Sequence, residues 1–249
     1  MPTAFFKTLL IFMRTLQYLI KSFHKDADIT YLKRQWALSL LTLFGIDLKI
    51  TGLCSTDKKL ILVGNHIGFL DILILIAAEP RATFLAKAEI AKWPIIGVAA
   101  RRIGTLFVKR ESRESREKSK QTICKILVNE NQSTIIAGFP SGTTTMFEHK
   151  DWKKGLFDIA MASGTPVQSF RLDYSHLREC AYIDNDSLFS SMVRLFSIPR
   201  KSASLTWGRS EQITDANAQM SAMRKWTQLR SDFYEEKAFS RPSYSLQYQ

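Results

Sequence analysis

Seven short segments along this chain read as strands, near residues 48–53, 60–64, 82–86, 104–108, 133–137, 166–172 and 202–207. Stretches with helical spacing separate them, near 69–78, 88–101, 112–129, 153–163, 187–196 and 215–237. Leu60-Ile61-Leu62-Val63 is apolar at every position, so both faces of such a strand must be covered. Strands of that kind alternating with helices build a parallel sheet, because parallel neighbours need a crossover between them. The expected fold is α/β, a mostly parallel sheet flanked by helices. At 249 residues the chain can bury a sizeable core. No repeat or low-complexity linker divides it, so 46–239 reads as one domain and 240–249 as a loose tail.

Residues 1–45 differ in character and read as two amphipathic helices, about 3–24 and 29–45. Lys7 and Arg14 interrupt the first apolar run well short of the roughly 20 apolar residues that a spanning helix needs. No small-residue cleavage site follows, so a secretory signal is not expected. Such a pair could lie in a bilayer interface with its lysines and arginines toward headgroups, or simply pack on the core. Charge bears on that choice. With 35 basic against 23 acidic residues the net charge is +12, which calls for an acidic partner. The basic residues follow no nucleic-acid-binding motif, and aromatics concentrate at the apolar N-terminus. An anionic membrane surface is therefore preferred to the alternative, a basic nucleic-acid-binding module. Cys54, Cys124 and Cys180 are odd in number and widely spaced, so ordinary buried thiols are expected rather than disulfides.

One motif carries chemistry. Asn65-His66-Ile67-Gly68-Phe69-Leu70-Asp71 follows the run Leu60 to Val63 directly. Histidine accepts a proton near neutral pH, and a carboxylate beside it can fix its tautomer and stabilise the imidazolium. On one helix, residues five apart point about 140° away from each other. His66 and Asp71 can still meet if 60–64 is a strand, 65–68 a turn and 69–78 a helix. Asp71 then sits in the first helical turn, where negative charge is favoured. Without other support, the pair reads equally as a turn residue and a solvated first-turn acid.

Further segments follow in order. Gly104-Thr105-Leu106-Phe107-Val108-Lys109-Arg110 is a short strand ending in two cations, which could hold a phosphate or carboxylate or pair with Glu111 or Glu114. Ser133 to Gly138 opens into Phe139-Pro140-Ser141-Gly142-Thr143-Thr144-Thr145, and Pro166-Val167-Gln168 comes later. Together with Asn65-His66-x4-Asp71, and with Lys87 and Glu89 before Pro94 and Gly97, these blocks resemble the glycerolipid acyltransferase family. That family includes the 1-acylglycerol-3-phosphate acyltransferases, and the resemblance covers about Leu48 to Phe170. Two departures stand out. Ser141 occupies the place of the family glutamate in Phe-Pro-Glu-Gly-Thr, and Gly68 stands where many members have Ser or Thr. Thr143-Thr144 and Gln168 look more like a branch that acylates amino-acid-containing lipids.

The resemblance implies acyl transfer from a thioester, acyl-CoA or acyl-carrier protein, to the free hydroxyl of a lyso-lipid. The acceptor would be 1-acylglycerol-3-phosphate or, alternatively, a lyso amino-acid (ornithine-type) lipid. His66 would be the general base and Asp71 its orienting partner, together the catalytic pair. Lys109, Arg110, Phe139, Pro140, Ser141, Gly142 and Thr143 would bind substrate, with Lys87 near the developing oxyanion. No metal or bound cofactor is implied, and no cysteine or serine sits in a nucleophile elbow. The expected location is the cytoplasmic face of the cell membrane. A hydrolase using the same pair to activate water is the rival enzyme.

Overall fold

A computed structural model describes residues 2–93, 96–108, 112–129, 133–147, 150–183 and 186–228. Two helices open the chain, α1 (Pro2–Ser22) and α2 (Ile29–Leu43). Strands β1 (Ile46–Thr51) and β2 (Lys59–Gly64) lead to α3 (Leu70–Ala78) and β3 (Ala82–Lys87). A 3₁₀ turn (Ala88–Lys92), α4 (Ile96–Arg102), β4 (Leu106–Val108), α5 (Arg113–Val128) and β5 (Thr134–Gly138) follow. Next come α6 (Gly155–Ser163), β6 (Val167–Tyr174), α7 (Leu177–Cys180), α8 (Leu188–Ser197), β7 (Lys201–Glu211) and α9 (Ala216–Thr227).

The described residues form one seven-stranded sheet in the order β1-β7-β6-β2-β5-β3-β4. Every pairing is parallel except β6 with β7. Leu60, Ile61, Leu62 and Val63 are all fully buried because alternate side chains enter opposite layers. Leu60 and Leu62 join Leu40, Ile74 and Leu172 on one face, while Ile61 and Val63 join Leu127, Phe157 and Met223 on the other. This is the α/β architecture that the alternating pattern predicts.

Strand β2 is central, with β5 on one side and β6 on the other. The chain runs from β2 out to β3 and β4, returns to β5, then crosses to β6, so the winding reverses beside β2. Crevices at the carboxyl ends of strands form at such reversals. The loops after β2 and β5 and the last residues of β6 all reach that end of the sheet.

Two details depart from the sequence reading. The helix expected over 88–101 is divided, because Trp93 is extended (ψ 131°). Pro94 follows it, and a proline pushes the preceding residue out of the helical region. Lys33, expected among the cations facing headgroups, is buried and donates from Nζ to Ala82 O at 2.6 Å. The rest of α2 is docked in the same way, with Ala37, Leu40 and Leu41 inside the core. Helix α1 differs: Phe5, Phe6, Leu9, Met13 and Ile20 are exposed. Among the described residues, no helix is long and apolar enough to cross a membrane.

Candidate active site

Asn65 fixes the chain as it leaves β2. Its buried amide donates to Leu172 O and accepts from Leu172 N–H, both at 2.8 Å. The backbone then turns, and Asp71 enters the first turn of α3 with its side chain wholly inaccessible. One carboxylate oxygen accepts from His66 Nδ1 at 2.7 Å, Ile67 N–H at 2.6 Å and Gly68 N–H at 3.0 Å. The other accepts from the Tyr174 hydroxyl at 2.5 Å. A buried charge is costly unless it is hydrogen-bonded, and four donors plus the helix N-terminus meet that requirement. A carboxylate that accepts from Nδ1–H selects the imidazole tautomer in which Nε2 is the acceptor. The ring remains 18% exposed, so a substrate can reach it. Gly68 is required sterically: a Cβ there would lie 2.5 Å from Cys180 O.

The loop after β5 forms the neighbouring wall. Phe139 stacks flat on the His66 ring, with centroids 3.8 Å apart and planes inclined by 10°. Phe139 in turn meets Phe170 edge-on at 5.9 Å. Thr145 N–H donates to His66 O at 2.7 Å. Between these contacts the chain makes a tight turn, with Gly142 N–H donating to Phe139 O at 3.0 Å. Gly142 has φ +72°, a left-handed conformation, and its missing Cβ leaves room for the Lys153 ammonium. Ser141 is buried, and its hydroxyl donates to Thr143 O at 2.9 Å, which holds the turn together. Pro140 is buried as well, while Thr143 is exposed at the tip.

The structure thus gathers His66, Asp71 and Phe139 to Thr143 at the carboxyl ends of the neighbouring strands β2 and β5. Lys87 is exposed at the end of β3, two places from β2 in the sheet, opposite Val108 of β4. Lys109 and Arg110 lie outside the described residues. Gln168 braces the opposite end of the sheet, accepting from Ser55 N–H and donating to Leu53 O and Gly208 O. Burial pushes the Cys180 thiol up to about 12, with Glu179 and Asp71 adding to the shift, so it is a poor nucleophile. Among the described residues, no three His, Cys, Asp or Glu side chains are placed to hold a metal ion. Sequence reasoning missed Tyr174, because the strand expected at 166–172 extends two residues further. It also missed Thr145 and the segment around Tyr182, which nothing in the local pattern marks.

A family described as Acyltransferase matches residues 47–173, just over half of the chain. The chain belongs to that acyltransferase family. All the candidate site residues that the sequence marks fall within the match, and Tyr174 lies one residue beyond it. Among similar proteins, lyso-ornithine lipid O-acyltransferase of Pseudomonas aeruginosa is 32% identical over 68% of this chain and 67% of its own length. The enzyme of that name from Rhizobium meliloti is 31% identical over 55% of this chain and 45% of its own. A 1-acyl-sn-glycerol-3-phosphate acyltransferase of Neisseria gonorrhoeae is 30% identical over 46% of this chain. The chain spans less than half the length of the latter two relatives, at 45% and 44%. The crystal structure of the 1-acyl-sn-glycerophosphate acyltransferase PlsC from Thermotoga maritima superimposes with a TM-score of 0.65. That match covers 90% of this acyltransferase and 94% of the other chain at 14% identity, a likeness of fold.

Proposed function

We propose that this acyltransferase moves a fatty acyl group from acyl-CoA or acyl-carrier protein to the free hydroxyl of a lyso-lipid. The observation that carries this reading is the His66 imidazole, oriented by the buried Asp71 carboxylate beside the loop after β5. His66 Nε2 takes the acceptor's hydroxyl proton as its oxygen attacks the thioester carbonyl. The tetrahedral intermediate collapses by breaking the carbon–sulfur bond, and the thiolate regains the proton from the imidazolium. Positioned proton transfer of this kind contributes about 10²–10⁴-fold. The oxyanion needs a cation or N–H donor, a role proposed for the neighbourhood of Lys87. Lys109 and Arg110 are proposed to hold the acceptor's anionic headgroup.

The first acceptor to test is 1-acylglycerol-3-phosphate, given the cations that follow β4. A lyso-ornithine lipid is the second, favoured by the Pseudomonas aeruginosa relative, whose match spans about two thirds of both chains. Purified protein should be offered one acyl-CoA with each acceptor in turn, following thiol release and the acylated product. Thiol release without any acceptor would mean hydrolysis and defeat the transferase reading.

We infer too that α1 docks on an anionic membrane surface, on the cytoplasmic side, through its exposed Phe, Leu, Met and Ile side chains. Lys21 and Lys25 are exposed nearby, and each such cation adds on the order of 1 kcal/mol at an anionic surface. Sedimentation with liposomes should show binding that rises with anionic lipid and falls with salt. Equal binding to neutral vesicles at every salt concentration would remove the electrostatic part.

A further inference from the structure

Beyond the family match, the chain passes from α7 along residues 180–183 and touches both loops of the site. Tyr182 N–H donates to Ile67 O at 3.0 Å, in the loop that carries His66. Tyr182 O accepts from the Thr144 hydroxyl, in the turn after β5. Gly68 lies so close beneath that only its lack of a Cβ clears Cys180 O. Strands β2 and β5 are neighbours in the sheet, but the ladder between them ends at Val63 and Gly138. Beyond it, Thr145 N–H to His66 O links the loops directly, and Tyr182 adds a second link through its two backbone bonds.

A charged cluster holds this strap. The Asp186 carboxylate accepts from Arg178 at 3.0 and 3.1 Å and from Arg194 at 3.1 and 2.6 Å. It also accepts from Ile183 N–H at 3.1 Å. Arg194 donates to the carbonyls of Ala181 at 3.1 Å and Arg178 at 3.2 Å. Three of the partners are therefore backbone groups of the strap and of the helix that starts it. Forked arginine–carboxylate contacts of this type fix geometry as well as energy. Burial alone would raise the Asp186 carboxyl, but the two guanidinium groups and the Ile183 N–H outweigh it and hold the group far below the usual carboxylate range.

We propose that Asp186, Arg178 and Arg194 form a clamp that fixes residues 180–183 and, through Tyr182, the spacing between the His66 loop and the turn at 139–145. Asp186 is thus a positioning residue, and the inference rests on reading His66 as the base and that turn as part of the acceptor site. Productive geometry requires reacting atoms about 3–3.5 Å apart, and a misplacement of about 1 Å can cost 10²-fold. A clamp outside the catalytic blocks can therefore govern turnover without touching substrate.

The test compares the full-length protein with Asp186→Asn, Thr144→Val and the double variant. Asp186→Asn should lower kcat about tenfold or more. It should also speed hydrogen exchange at the Tyr182 amide while the Ile61 and Leu62 amides of β2 keep their protection. Thr144→Val cuts the same link at its other end, so the double variant should be little worse than the poorer single one. Multiplying effects in the double variant would overturn the proposal. So would unchanged exchange at Tyr182, or protection lost equally across the sheet. If Asp186→Asn does not fold, Arg194→Lys keeps the charge, loses the fork and replaces it in every comparison. Wild-type protein inactive on all acceptors would instead defeat the functional reading, while the exchange data would still decide the clamp.

Discussion

Asp71 and the first helix invert the usual rule of burial in opposite senses. Asp71 is a charged group with no solvent exposure, and four donors surround its two oxygens. On α1, Phe5, Phe6 and Ile20 are 68%, 62% and 63% exposed. A buried carboxylate persists only where its setting is fully hydrogen-bonded, which makes the His66 loop rigid and oriented. A run of exposed aromatic and aliphatic side chains marks a surface that meets something apolar. The first arrangement suits chemistry on a polar group, and the second suits a lipid surface. Between them lies α2, which shares the polarity pattern of α1 but is packed into the core. Helices adjacent in sequence and alike in composition can therefore do different work.

The largest effect should come from breaking the polar half of this contrast. His66→Ala should reduce acyl transfer by about 10²–10⁴-fold, and Asp71→Asn nearly as much, since an amide favours the wrong tautomer. Either variant keeping more than about a tenth of the rate would lose less than ~1.4 kcal/mol and rule out the dyad. The apolar half is probed by Phe5→Ser with Phe12→Ser. Burying a phenylalanine contributes about 1.5–3 kcal/mol, so losing two should weaken liposome binding by tenfold or more while leaving kcat on a detergent-dispersed acceptor unchanged. Unaltered binding would show that α1 is not the docking surface.

Lys33 sharpens the difference between the two helices. Burial pulls its amine down from 10.5 to about 8, against the opposing pull of Glu79. Between those values the unfolded chain holds a proton that the folded chain has released. The residue therefore costs stability below pH 8, and that cost fades as pH rises to 10.5. Relative to Lys33→Met, wild-type stability in denaturant titrations should rise by about 3 kcal/mol across this window. A difference independent of pH would mean that the amine is not buried as described. Tyr174→Phe removes one of the four donors on Asp71 and should lower kcat about tenfold, the value of one charge-assisted hydrogen bond. Full retention of kcat would leave Tyr174 a packing residue. Smallest is Ser141→Glu: restoring the family carboxylate should change the ratio of rates between phosphate and ornithine acceptors severalfold. Equal scaling on every acceptor would dissociate this position from headgroup choice.

The His66–Asp71 contact was legible because the two residues are joined by a short turn whose geometry follows from a strand end and a helix start. The strand at 60–64 was legible for a similar reason, since a run apolar at every position from Leu60 to Val63 has few other places to go. Tyr174 and Tyr182 carried no such signal. Each acts on the His66 loop from more than a hundred positions away in sequence, and nothing in its local pattern distinguishes it from an ordinary aromatic. The burial of Lys33 was hidden too, because periodicity alone placed it among the outward-facing cations of an amphipathic helix.

By itself the sequence determined the alternating architecture and the meeting of His66 with Asp71, since these depend on residue type and short-range spacing. Tertiary structure alone decided which helix of the N-terminal pair is docked, which hydroxyl completes the shell of Asp71, and which distant segment ties the two site loops together. Those outcomes depend on which strands become neighbours and on what fills the space between layers. Both are set by packing the whole chain at once, so no local stretch contains them.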